Sequence, residues 1–236
     1  MLAIIDSRVS EECEFSLIRS GFTVLKTPPS PYLSEPLSSH PDMLFFKDGD
    51  TIITSVDYAV IAETMLGDIR FYAPKVRIRV TDISQRPEYP RDAVFNALRI
   101  GDKLFLKTDT AAEAVLAYAE ENGLKIIHTS QGYPACTALA VSDNAAITAD
   151  RGLFAVMKQN GVEVLLIENG GITLPPYEYG FIGGACGRIG NRIFFLGDPR
   201  LHPQYDLIAK FCQKHGNRII GLSDQPLTDM GRIIFI

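Results

Sequence analysis

Three short strings carry side chains suited to acid–base or nucleophilic work. His40-Pro41-Asp42 sets an imidazole, the group that titrates nearest neutral pH, two residues from a carboxylate able to take paired N–H donors. Alternate residues of an extended strand face one side, so His40 and Asp42 are expected to point together. The competing reading is a loop histidine with Asp42 starting a strand. Cys136-Thr137 leads into an apolar run, and a thiolate there is a nucleophile wherever nearby charge lowers its pKa. Arg91-Asp92 offers an ion pair, read equally as a structural salt bridge or a turn. Asp229, just before Gly231, either lines a site or caps a turn.

The glycine-rich string Gly183-Gly184-Ala185-Cys186-Gly187 lacks GxGxxG spacing and runs into a strand, Arg192 to Leu196, where a phosphate loop needs a helix N-terminus. A close backbone approach, which glycine permits by lacking a Cβ, is the better reading. No Walker A, HExxH or GxSxG string occurs. His128, His202 and His215 read as structural or solvated. The four cysteines, Cys13, Cys136, Cys186 and Cys212, form no CxxC pair, so neither a zinc knuckle nor a disulfide scaffold is indicated. As free thiols their ordinary fate is burial as small apolar residues.

The chain has 236 residues, 46% apolar and 22% charged, which is the profile of a globular protein with a full core. Its net charge is −5, with 23 Lys and Arg scattered among the acids, which argues against nucleic acid as a partner. No stretch approaches the roughly 18–20 apolar residues of a membrane span. Met1 to Ile5 runs into Asp6 without a basic n-region or cleavage site, so a cytoplasmic protein with no membrane partner is expected.

The elements that must position these side chains repeat. Cys136 to Ser142, the turn Asp143-Asn144, Ala145 to Thr148, a helix capped by Asp150 and ended at Asn160-Gly161, and Val162 to Ile167 make one strand–turn–strand–helix–strand unit. Ala93 to Ile100, Gly101-Asp102, Lys103 to Lys107, a helix opened by a Thr110 to Glu113 capping box, and Leu124 to His128 make another. A further unit runs from Phe181 to Gly187 through Arg192 to Leu196 and a helix near Pro203 to the strand Arg218 to Leu222. The least regular one has Met43 to Phe46, Thr51 to Thr54, a short helix around Tyr58 to Leu66 and a late strand, Val76 to Val80. The C-terminal strand Arg232 to Ile236 and the N-terminal Leu2 to Ile5, Ser10 to Ser20 helix and Phe22 to Lys26 complete a fifth. Units recurring every roughly 45–50 residues, with incomplete ends, imply an α/β array closed by pairing of its own terminal strands.

Five ββαβ units in this order resemble the pentein, or guanidino-modifying-enzyme, superfamily. The strings SSHPDMLFF, YPRDAVFNA, QGYPACTALAV and YGFIGGACG look like those of an uncharacterised bacterial family of that fold. The resemblance implies a single domain over residues 1–236, built as a pseudo-fivefold propeller in which the start of each unit's first strand faces a central ligand. It further implies catalytic roles for Cys136 as nucleophile, His40 as general acid and base, and Asp42 as a guanidinium anchor. Unit counting favours Cys136 over Cys186: the nucleophile's unit in arginine deiminase lies three steps before the histidine's, as Cys136 lies before His40. Asp92, Asn96, Gln131, Tyr133, Glu178, Tyr179 and Asp229 are the implied substrate-binding set. The implied activity is a cysteine-dependent hydrolase or transferase of a small cationic guanidino or amidino compound, with no cofactor or metal and compatible with a homo-oligomer. The alternative is a non-catalytic ring that binds a ligand or partner, as the ribosome anti-association initiation factor does on a similar fold. The absence of a Glu-Gly-Gly-Asp string departs from the enzymes' pattern.

Overall fold

The computed structural model describes residues 1–236. The chain opens with β1 (Leu2–Asp6), α1 (Glu11–Arg19) and β2 (Thr23–Thr27). A one-turn helix α2 (Pro41–Leu44) then leads into β3 (Phe46–Asp48), β4 (Thr51–Ser55), α3 (Val56–Ile61), α4 (Glu63–Tyr72) and β5 (Arg77–Thr81). Next come β6 (Ala97–Ile100), β7 (Lys103–Leu106), α5 (Glu113–Glu121) and β8 (Lys125–His128). A second one-turn helix, α6 (Pro134–Thr137), precedes β9 (Ala138–Ser142), β10 (Ala145–Thr148), α7 (Arg151–Gln159), β11 (Glu163–Leu166) and the short β12 (Ile172–Thr173). The last part holds β13 (Cys186–Ile189), β14 (Arg192–Phe195), α8 (Tyr205–Lys214), β15 (Arg218–Gly221), β16 (Leu227–Thr228) and β17 (Ile234–Phe235).

Five three-stranded sheets result, β17-β1-β2, β3-β4-β5, β6-β7-β8, β9-β10-β11 and β13-β14-β15. In each, the middle strand is antiparallel to the first strand and parallel to the third. The chain ends meet in one sheet, Ala3 opposite Phe235 and Ile4 opposite Ile234. The parallel pairing within each unit requires a crossover, and the intervening helix supplies it while covering one face. In α7 the Asp150 carboxylate accepts from Leu153 N at 2.6 Å, Leu153 and Met157 face the core, and Gly161, at φ 77°, carries the chain out of the helix. No helix is long and apolar enough to cross a membrane.

Several local expectations are corrected. Pro41–Leu44 and Pro134–Thr137 are helical turns, not strand starts, because proline at the first helical position loses no hydrogen bond there. His40 and Asp42 therefore lie a fraction of a helical turn apart and do not share a strand face. Residues 182–185 form turns before β13 begins at Cys186, and β6 begins at Ala97. Thr110 does not cap α5; its hydroxyl donates to Lys107 O, and Ala112 occupies the cap position. The helix expected to end near Leu66 continues as α4 through Gly67 to Tyr72, since burial of Met65, Leu66 and Ile69 outweighs the roughly 1 kcal/mol helix penalty of one glycine. The parallel pair β12–β16, between segments 55 residues apart, has no sequence signal.

Candidate active site

Four loops, each at the entrance to a sheet or a terminal strand, bring the singled-out residues together. Asp42 N donates to Gly231 O at 3.1 Å, Gly184 N to Cys136 O at 2.9 Å, and Met230 N and Arg232 N both to Gly184 O. Asn96 ties two of these loops: its carboxamide oxygen accepts from Ala135 N at 2.8 Å, and its nitrogen donates to Asp42 O at 3.3 Å while lying 3.6 Å from the Cys136 sulfur. The close approach read at Gly183-Gly184 is present, since a Cβ on Gly184 would fall inside the Asp229 carboxylate. Gly231, at φ 65°, backs onto His40 where a Cβ would overlap the imidazole. Gly231→Ala is accordingly expected to lose stability by more than the ~1–2 kcal/mol of a left-handed L-residue alone, read as a lowered urea midpoint.

The Cys136 thiol donates to Asp42 Oδ2 at 2.7 Å and is 4% exposed. Asp229 accepts from Phe181 N at 2.8 Å and Gly231 N at 3.1 Å. His40 is fully buried with neither ring nitrogen hydrogen-bonded; its nearest carboxylate is Asp6, 3.9 Å from Nε2. One donor atom each from His40, Cys136 and Asp229 lies within 4.8 Å of the others, a soft-plus-hard set able to hold a divalent transition metal after modest closure. These three residues, with Tyr133, Glu178 and Tyr179, line a cavity of about 380 Å³ whose remaining walls include Met43, Tyr177 and Phe181.

Burial governs the charges. Desolvation pushes Asp42 up to about 6, against the lowering effect of its Cys136 hydrogen bond. Desolvation, followed by the neighbouring Asp42 charge, pushes Asp229 up to about 7, and the hydrogen bonds from Phe181 and Gly231 oppose it. Desolvation drives His40 down to about 4, with Asp6 opposing and Arg8 assisting. Burial and the adjacent Asp42 and Asp229 raise the Cys136 thiol well above its ordinary value. The expected activation of this thiol by neighbouring positive charge is thus absent from the free protein, because the groups facing it are carboxylates.

Not every expected residue reaches the cavity. Asp92 accepts from the Tyr133 hydroxyl at 2.7 Å, and Gln131 bridges Tyr133 N, at 3.1 Å, to Asp150 Oδ2, at 2.9 Å. Both therefore orient Tyr133 and stand behind the wall. Glu178 is exposed at the mouth and Tyr179 is half-buried beside it. Cys186 is fully buried and donates to Ile182 O, away from the cavity, and Cys13 and Cys212 are buried free thiols. Tyr177 and Phe181 were missed; the aromatic run Tyr177 to Phe181 between Pro176 and the glycine string was the available signal.

Solved structures share this fold at low identity. DDAH from Pseudomonas aeruginosa, in complex with citrulline, matches at TM-score 0.57 and 13% identity over 94% of this chain and 92% of its own. C. jejuni agmatine deiminase matches at 0.56 and 13% over 94% and 86%, and an amidinotransferase of the saxitoxin biosynthetic pathway from Microseira wollei at 0.55 and 13% over 92% and 74%. No curated protein sequence matches. The fold is that of the pentein superfamily, and by the match of residues 4–234 the chain belongs to the family of unknown function DUF6873.

Proposed function

We propose that this protein is a cysteine-dependent hydrolase or transferase of a small guanidino or amidino compound, working through a covalent thiouronium intermediate. The observation that carries the reading is the convergence of Cys136, His40, Asp42 and Asp229 from loops far apart in the chain. The five sheets are read as blades of a ring. Support comes from a second cavity, lined by residues of the first strand of every sheet, β3, β6, β9, β13 and β17.

In the free site the thiol stays protonated, hydrogen-bonded to Asp42, and the charges of Asp42 and Asp229 repel a thiolate. An entering amidinium neutralises that repulsion and makes the thiolate accessible, so the substrate's own charge switches the nucleophile on. Neutral His40 takes the thiol proton, and the sulfur forms a C–S bond to the central carbon. The C–N bond to the departing amine then breaks as His40 returns that proton to the leaving nitrogen. Water, or an acceptor amine in a transferase, gives a proton to His40 and attacks the thiouronium carbon. Breaking of the C–S bond returns the thiol. Asp229 holds the cation, Asp42 acts on it from behind the Cys136 thiol, outside the cavity lining, and Tyr133, Tyr177, Tyr179 and Phe181 present aromatic walls to it.

None of the residues lining this cavity is lysine or arginine. A substrate carboxylate would meet Asp229 and Glu178 without a partner, so carboxylate-free amidines and guanidines are the expected class. Incubation with a panel of such compounds, acid quench and intact mass measurement should give an adduct mapped to the Cys136 peptide, with amine or ammonia released. Carboxylate-free members should turn over at least about tenfold faster than zwitterionic ones. Absence of both adduct and release across the panel overturns the reading. The His40–Cys136–Asp229 donor set favours a second one, cation binding without turnover; on it the panel binds and no adduct forms.

A further inference from the structure

We infer that the protein has a second ligand site, for a small organic oxyanion carrying a carboxylate or phosphate group, in the larger cavity, which Asp42 lines and Cys136 does not. This cavity measures about 660 Å³ and is lined by Asp42, by both charged and apolar side chains of the first strands, and by the turns at Gly49 and Gly101. It goes beyond the amidine chemistry and does not depend on it.

Most of the charges that line this cavity already have partners. Arg99 donates to Asp48 Oδ2 at 2.6 Å and to Gly101 O at 2.8 Å, and Asp48 also accepts from the Tyr118 hydroxyl at 2.9 Å. Asp102 holds Lys103 at 2.6 Å. Arg188 donates to Val141 O and stands 3.9 Å from Asp143, whose side chain is 93% exposed. Asp42 accepts from the Cys136 thiol at Oδ2, while its Oδ1 has no partner and its carboxyl lies in the field of Arg232. Two cations remain, Lys47 and Arg232, and neither side chain has a hydrogen bond or an ion pair within the protein. Burial pushes the Lys47 ammonium down, the Asp48 and Asp50 charges oppose this and the Arg232 charge adds to it, so two positive groups without an ion pair share one partly enclosed space. An oxyanion relieves both at once, and the guanidinium fork suits either carboxylate or phosphate. Phe45, Phe95, Leu98 and Phe235 provide apolar wall for a carbon body, and the volume far exceeds that of a bare ion.

A second observation points the same way. Arg232 is the one non-glycine residue with positive φ, 78°, a conformation that costs an L-residue about 1–2 kcal/mol and that glycine adopts freely. Strain of this kind persists where a side chain is required at that point. Within the protein the guanidinium makes no hydrogen bond or ion pair and acts only through its field on Lys47, Asp42 and Cys186, which leaves its donor atoms free for a bound oxyanion.

Isothermal titration of the whole protein with inorganic phosphate and with citrate, against chloride at matched ionic strength, tests the site. One equivalent of at least one probe should bind wild type, and Arg232→Gly and Lys47→Met should each weaken that binding at least tenfold. Citrate binding more tightly identifies a carboxylate ligand, and phosphate binding more tightly a phosphorylated one. Arg232→Gly relieves the backbone strain, so it should melt no lower than wild type; this keeps lost binding separate from lost folding. Silence of both probes with wild type, or equal binding by wild type and Arg232→Gly, overturns the inference.

Discussion

Replacement of Cys136 by serine should abolish amidine turnover, by at least about 10³-fold, while leaving the cation bound. The serine hydroxyl can donate to Asp42 as the thiol does at 2.7 Å, so the loop geometry is retained and only the nucleophile is lost. Asp229 still holds the substrate, so binding measured by titration should change little and the sulfur-linked adduct should vanish. The wild-type thiol itself offers a companion reading. With burial and two carboxylates holding its proton, alkylation of Cys136 by iodoacetamide should be slow at neutral pH and rise only above the ordinary thiol range. Half-maximal labelling at or below pH ~8.5 in the free protein would contradict the charge environment described for it.

Asp42→Asn is expected to stabilise the fold at alkaline pH while removing activity. A buried carboxyl raised in the folded state from 3.8 to about 6 contributes stability that is complete below pH 3.8 and is lost as pH climbs through about 6. Asparagine avoids the ionisation, and its carbonyl oxygen can take over the hydrogen bond from the thiol. The gain should be on the order of 2–3 kcal/mol above pH 7, shrink below pH ~6 and disappear near pH ~4. His40 carries the opposite sign: lowered from 6.5 to about 4, its contribution is present above pH 6.5 and lost as pH falls through about 4. Asp229, raised to about 7, acts in the same direction as Asp42. Wild type should therefore weaken between pH 5 and 8, two carboxylates outweighing one imidazole, and Asp42→Asn should show a flatter curve. Urea midpoints at pH 4, 6 and 8 decide the matter, and an Asp42→Asn midpoint at or below wild type at pH 8 sinks it.

Such a trade is what the proposed cation-binding role requires. Asp42 and Asp229 sit 3% and 1% exposed, and the free protein bears the cost of holding them close to each other and to the thiol. On the proposed reading a cation in the cavity offsets that cost, as protonation of the two carboxyls does in the free protein at lower pH.

Much of this was legible in the residues. The strand–helix–strand units have periods of two and 3.6 that a single chain displays, and the match between Leu2–Asp6 and the C-terminal Ile234–Phe235 follows from two half-units that need each other. His40, Asp42, Cys136 and Asp229 stood out because polar, reactive types interrupt apolar runs at the start of successive units. One-turn helices such as Pro41–Leu44 have too few residues to show a period, so the relative direction of His40 and Asp42 was misread. Asp92 and Gln131 were assigned to the ligand because their types suit it; their actual partner, Tyr133, depends on how separate loops pack. The protonation of Cys136 was furthest from reach. Its state depends on a carboxylate 94 residues away, on a second carboxylate near the C-terminus and on the exclusion of water, and these are properties of a closed structure rather than of any local string. The sequence by itself determined the repeated units, the closure of the ends and the reactive residue types. Tertiary packing alone decided which of those residues meet and which carry charge, because Coulomb energies and desolvation depend on distances through space that the order of residues does not encode.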